Sequence, residues 1–254
     1  MASKRTLPFR TERFRYVVQR NPAPARPSFA RYRCLHVTSV DPKATLQTAV
    51  VQDHAELKRC YDEYKAATAD DGKTRWGNAF VWGMTRHALG EELVVYPGKT
   101  TFKVLSVSTR YVTVHNQDSN TCRIQTALDK YLGEEGRHWA AKDRKDAQHL
   151  KESLYGFDHM SLTNPHREVL VDILWGDFAH HARQEEEIQL PKLESVLGRE
   201  SERLARSFER TKRFTATRSH PLAPNMVPFA TAAAFMAAPI DKLRDIFRSW
   251  PEED

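Results

Sequence analysis

Residues 87–97 read HALGEELVVYP, and residues 181–191 read HARQEEEIQLP. In both, a histidine is followed at i+4 and i+5 by Glu-Glu and at i+10 by proline. His87, Glu91, Glu92 and Pro97 therefore match His181, Glu185, Glu186 and Pro191. On a helix, positions i and i+4 share one face and lie one turn apart. One His/Glu pair of this kind reads most simply as a surface contact. Two copies with the same offsets read as ligands. An imidazole nitrogen with a carboxylate oxygen is a borderline-hard donor set suited to iron, manganese or zinc. In a helical bundle two such faces can meet and build a dinuclear site.

The text around both copies is helical. TLQTAVVQDHAELKRCYDEYKAA, from Thr45, carries Leu46, Val50, His54, Leu57, Tyr61 and Tyr64 at helical spacing, without Gly or Pro. Further helices are expected over 75–97, over Arg137–Phe157, and from Pro165 to Leu197 with Asn164 as cap and Gly198 as stop. Four helices of this length predict an all-α, up-down four-helix bundle over 44–198. Residues 199–254 form a helical extension. Its last helix, PIDKLRDIFRSW, places Ile240, Leu243, Ile246 and Phe247 on one face, to pack on the bundle or meet a partner. Trp76, Trp82, Trp139 and Trp175 read as bundle core.

Residues 98–126 break the pattern. They are rich in β-branched residues around a turn-like HNQDSN, and read as a strand pair or as no regular structure. Without them the repeat continues: Tyr96-Pro97-Ala127-Leu128-Asp129 matches Leu190-Pro191-Lys192-Leu193-Glu194, and Leu132-Gly133 matches Leu197-Gly198. The codons permit a splice donor at Gly98-Lys99 and an acceptor at Thr126-Ala127, in frame. Two readings stand: a retained intron, or an inserted hairpin in a loop, which bundles tolerate.

The net charge of +6 belongs to the first 40 residues. They hold nine Lys/Arg against one acid, Glu12, while the remainder holds 30 basic and 32 acidic residues. No basic footprint for nucleic acid is left on the bundle. The Arg-rich, proline-broken segment 1–40 reads as a disordered basic tail or as a mitochondrial transit peptide, so the expected compartment is the cytoplasm or the mitochondrion. The longest apolar run, Phe229–Ile240, is too short to span a bilayer. Cys34, Cys60 and Cys122 form no CxxC and no even framework, so no structural disulfide is expected. HExxH, P-loop, GxGxxG and GxSxG motifs are absent, and HxxxE reverses the ExxH order of ferritin-like oxidases.

Each His/Glu pair wants a histidine from the preceding helix. For the first copy it is His54, in DHAELK. For the second, aligning Leu57-Lys58 with Leu150-Lys151 puts Ala147 in the slot. His149 lies two residues on, about 200° around the helix. Either the helix shifts so that His149 reaches inward, or the slot has lost its ligand, with Asp143 one turn earlier as substitute. Asp53, Glu92 and Glu186 are candidate acceptors for the outer nitrogens of ligand imidazoles. His36, His115, His138, His159, His166, His180 and His220 read as surface or capping residues.

QDHAEL, RHALGEELVVYP, LDKYLGEEGRHWAAKDRKD, LKESLY, HARQEEEIQLPKLE, TRSHPLAPNMVPF and AAPIDKLRDIF together resemble the hemerythrin-like, or HHE cation-binding, family in its fungal-type form. The resemblance covers about 45–249 with the insert left out. It implies a four-helix bundle around a non-haem di-iron centre with His54, His87, Glu91, His181 and Glu185 as ligands. The family pattern places a histidine where this chain has Ala147, so the second of the two expected iron ions is short of a ligand. The implied partners are metal ions with O2 or peroxide, and the implied role is iron-, O2- or redox-responsive binding. Two competitors stand beside it: an oxidase or peroxidase using the same centre, and a metal-free helical scaffold binding another protein through its C-terminal helix. Ligand histidines must be neutral, so metal binding is expected to weaken below about pH 6.

Overall fold

The computed structural model describes residues 43–95, 101–103, 121–123, 127–222 and 229–252. The basic tail and transit-peptide reading lie outside the described residues, as do His36, His115 and most of the insert. Helix α1 spans Leu46–Ala66, with the Thr45 side chain accepting from Thr48 N at its start. Helix α2 spans Asp70–Gly90, α3 Ala127–His159, α4 Arg167–Gln184, α5 Leu190–Leu197, α6 Glu200–Phe214 and α7 Phe229–Asp245. The fold is an all-α bundle. Within the insert, the described residues Thr101–Lys103 pair antiparallel with Thr121–Arg123, Phe102 opposite Cys122. Among the described residues no helix is long and apolar enough to cross a membrane.

Short links make α1/α2 and α3/α4 antiparallel neighbours, and α2 packs on α3 while α1 meets α5. The apolar stripes fill two ends of one core. Leu57, Tyr64, Phe80, Met84, Leu154, Phe157, Leu174 and Phe178 form one end. Leu46, Val50, Val94, Leu128, Leu193, Leu197 and Phe208 form the other. His54 sits in the middle of the α1 stripe, buried between them.

The helix bounds differ from the sequence expectation in instructive ways. α2 begins five residues earlier, at Asp70, and continues past Gly90 as a π turn over Glu91–Val95. α4 continues as a second π turn over Glu185–Gln189. Leu190 N donates to Glu185 O, an i to i+5 bond, and Pro191 follows. Proline has no N–H and its ring crowds the carbonyl four residues back, so the wider turn relieves both. α3 begins at Ala127 rather than Arg137 and is broken at Gly133, whose φ is 61°. Gly198, its match in the repeat, has φ 52°. Both glycines adopt backbone that a side chain disfavours, and both end the segment that follows a Glu-Glu-x-x-x-x-Pro run. Asn164 acts one turn ahead of α4 rather than at its cap: its Oδ1 accepts from His166 N.

The C-terminal extension is built into the bundle. α6 packs on α1 and α2. A Cβ on Gly90 would come within 2.7 Å of the Phe208 ring, so only glycine admits this approach of α6. The last helix runs Phe229–Asp245, earlier than expected, and packs by Ala238, Asp241 and Asp245. Its expected apolar face does not: Ile240, Leu243 and Phe247 are 57%, 62% and 85% exposed. Asp241 and Asp245 bind the preceding loop instead, accepting from Thr217 N and Thr217 Oγ1 respectively. The tryptophans expected in the core are only partly buried: Trp76, Trp139 and Trp175 lie at its margins, and Trp82 meets Trp250 edge to face.

Candidate metal centre

Glu91 and Glu185 are each the first residue of a π turn, directly after a helix that ends on its own histidine turn. Each Glu N–H reaches the carbonyls three and four residues back: Ala88 and His87 for Glu91, Ala182 and His181 for Glu185. The repeat is thus a structural one, and it aims two carboxylates at each other across the bundle.

His54, His87, Glu91 and Glu185 are all buried, and one ligand atom from each lies within 4.8 Å of the others. His87 Nε2 is 3.0 Å from Glu91 Oε1, and His54 Nε2 is 3.4 Å from Glu185 Oε2. His181 Nε2 lies 3.4 Å from Glu91 Oε2 and 3.5 Å from Glu185 Oε2. The two glutamates therefore stand between His54/His87 on one side and His181 on the other.

Two of the three outer nitrogens have a carboxylate partner. His54 Nδ1 is 2.7 Å from Glu186 Oε1, and His87 Nδ1 is 3.2 Å from Asp53 Oδ2. His181 Nδ1 lies 3.9 Å from Asp143 Oδ1, too far for a hydrogen bond. A carboxylate on Nδ1 fixes the tautomer that leaves Nε2 free to ligate. Phe178 walls the group, its ring centroid 5.4 Å from those of both His54 and His87.

The inner atoms are unsatisfied. Nε2 of His54, Nε2 of His87 and Oε2 of Glu185 are buried and make no well-directed hydrogen bond. Buried polar atoms normally find partners, and here a cation is the partner that fits all of them at once. Imidazole nitrogen with carboxylate oxygen and no thiolate suits a divalent transition metal. These residues can hold such an ion.

Without a cation the cluster neutralises itself with protons. Burial opposes a charge on His87, but Glu91 and Asp53 outweigh it and raise its pKa to about 10. Burial likewise opposes a charge on His181, and Glu185 and Glu91 raise it to about 9. Burial and the neighbouring His87 hold His54 down at about 4. Burial and the facing Glu91 push Glu185 up to about 8, while the charged His87 and His181 pull Glu91 down against its burial. Burial takes Asp143 up to about 7, against the opposing influence of His181. Proton competition with a metal therefore begins well above the pH of 6 expected for ordinary imidazoles.

Of the other sequence candidates, Asp143 is buried beside His181, whereas Ala147 is buried and leaves its slot without a ligand. His149 does not reach inward. Its side chain is 67% exposed and lies 3.8 Å from Asp177, because α3 keeps its helical register and carries it to the far face. Glu92 does not serve an imidazole; it is buried and takes Lys151 Nζ at 2.6 Å. His180 is exposed.

Sequence reasoning missed Lys212 of α6. Its Nζ is 2.5 Å from Asp53 Oδ1 and 2.7 Å from Glu209 Oε1, so the extension supplies a cation to the carboxylate behind His87. Nothing in the spacing of the repeat points to it, since α6 has no counterpart in the first copy.

A curated protein of Schizosaccharomyces pombe, described as an uncharacterized hemerythrin-like protein, is 40% identical to this chain over 207 residues. The match covers 81% of the chain and 88% of that protein. No family model matches the chain, and no solved structure does.

Proposed function

Since this chain belongs to the hemerythrin-like family, we propose that it binds iron in the bundle core as a non-haem centre that responds to O2 or to redox conditions. One observation carries the reading: the Nε2 atoms of His54 and His87 converge with Glu91 and Glu185 in one buried group, their ligand atoms all within 4.8 Å of one another. His54 and His87 hold one ion with both glutamates. His181, with Asp143 beside it, would serve a second ion, whose set is a ligand short because residue 147 is alanine. Bound iron supplies reversible one-electron chemistry and affinity for small oxidants. The chain's own residues set the tautomers of His54 and His87 through Glu186 and Asp53, and Phe178 and Phe208 wall the site.

Ala147 also favours a second reading, a metal-free scaffold in which the missing ligand marks a lost site. Iron per chain, measured by plasma mass spectrometry on protein purified without added metal and again after iron loading, separates the two. Iron near or above one per chain, abolished in His87→Ala, supports the centre. No iron in either preparation overturns it and leaves the scaffold.

A further inference from the structure

A cavity of about 460 Å3 runs from the α3/α4 surface to the metal-binding group. That volume lies within the range of small-molecule sites, roughly 300–1,000 Å3. Its walls are mostly apolar, with Ala88, Ala147, Leu174 and Phe178 along them, and its inner end is formed by Asp143 and His181. The exposed Asp177 and Lys145 stand at its outer end. The cavity exists because residue 147 is alanine: a larger side chain there would stand in the space.

We propose that this cavity binds a small uncharged molecule with an apolar, ring-sized body and a terminal hydroxyl, its hydroxyl directed at Asp143. The donor side is set by Asp143. Asp143 is 1% exposed and neither carboxylate oxygen makes a well-directed hydrogen bond, so a ligand O–H supplies the donor that this acceptor lacks. The body is set by the apolar walls. The charge is set from two sides. In iron-loaded protein His87 and His181 are neutral ligands and Glu91 and Glu185 offset the charge of the ion, so Asp143 at the inner end, with Asp146 and Asp177 further out, outweighs Lys145 and repels an anion. An ion held by Glu91 and its neighbours opposes a cation. Both points about charge rest on the iron-binding reading above; the cavity and its Asp143 acceptor do not.

The test uses the full chain and three ring-sized probes, phenol, benzylamine and benzoate, titrated by calorimetry into iron-loaded protein. Phenol is expected to bind at one site per chain, with the amine and the carboxylate at least about tenfold weaker, as a single desolvated charge would impose. Ala147→Leu, which fills the cavity, is expected to weaken phenol about tenfold or more. Ala147→Ser, which keeps the space, is expected to leave it within about threefold. Circular dichroism of both variants reports that the helices are intact. Absence of phenol binding, equal binding by Ala147→Leu, or tighter binding of benzylamine or benzoate overturns the proposal. Iron is assayed in the same samples: phenol binding without iron overturns the metal reading and keeps the cavity site, and iron without phenol binding overturns the cavity site alone.

Discussion

Lys212, on the C-terminal extension, donates a 2.5 Å hydrogen bond to Asp53 on the first helix. The other oxygen of Asp53 faces His87 Nδ1, and together burial, His87 and Lys212 set its pKa at about 2, the attractions overcoming the burial. Both charges are largely buried, so the contact is little screened by salt. The extension is thereby part of the centre, although it contributes no ligand.

Lys212→Met is expected to lower metal affinity by up to about tenfold, the lower end of the cost of losing the carboxylate behind a ligating histidine, because Lys212 acts on His87 through Asp53. Competition against a chelator of known affinity measures it, with the exposed Lys58→Met as control. Unchanged affinity in Lys212→Met would show that Asp53 holds His87 without help.

His149 and His181 separate cleanly. His149→Ala is expected to leave metal content unchanged, because that side chain lies on the surface with Asp177. His181→Ala is expected to lower the metal content per chain, because His181 Nε2 lies within 3.5 Å of an oxygen of each glutamate. A loss of metal in His149→Ala would mean that α3 changes register when metal binds.

The pH dependence follows from the imidazoles of the metal-free chain. His87 and His181 have pKa values raised to about 10 and about 9, so both carry protons at neutral pH. A metal must displace those protons. Affinity is therefore expected to keep rising with pH from 7 to about 9, where unperturbed imidazoles of pKa about 6.5 would already have levelled off. Cobalt(II) titrations at several pH values read this directly, and a flat profile above pH 7 contradicts the raised values.

Residues 98–126 interrupt the repeat at the point where Pro97 would meet Ala127. We propose that they are dispensable to the bundle. A chain with Pro97 joined to Ala127 is expected to keep its helical circular dichroism and its metal content. Transcript reads that cross this stretch unspliced exclude the retained-intron reading without touching that expectation. Loss of helix on deletion would make the insert structural.

Gly90→Ala is expected to cost about 1–3 kcal/mol, as overpacking does, because the added methyl meets the Phe208 ring and pushes α6 away. Thermal denaturation measures it. A second substitution, Phe208→Leu, is expected to recover part of the loss by removing the ring that clashes.

The repeat HxxxEE…P was legible because metal ligation at i and i+4 leaves a fixed interval in the text, and the helical stripes around it identify a bundle. His54 was legible for the same reason, as a polar residue inside an apolar stripe. The π turns were not read, although Pro191 marks one of them, because a widened turn shifts facing by a fraction of a residue and leaves composition unchanged. The break at Gly133 was half visible: the repeat aligned it with Gly198, but only backbone angles show that both carry positive φ.

The sequence by itself determined the bundle, the two glutamates and the histidines that face them, since each is written in periodicity along one helix. Only the tertiary structure decided that Glu92 pairs with Lys151, that His149 turns outward, that Ala147 opens a cavity and that Lys212 stands behind Asp53. The two ion pairs join residues 59 and 159 positions apart, and the other two relations depend on the facing of α3 and on space left unfilled; none leaves a period in the chain.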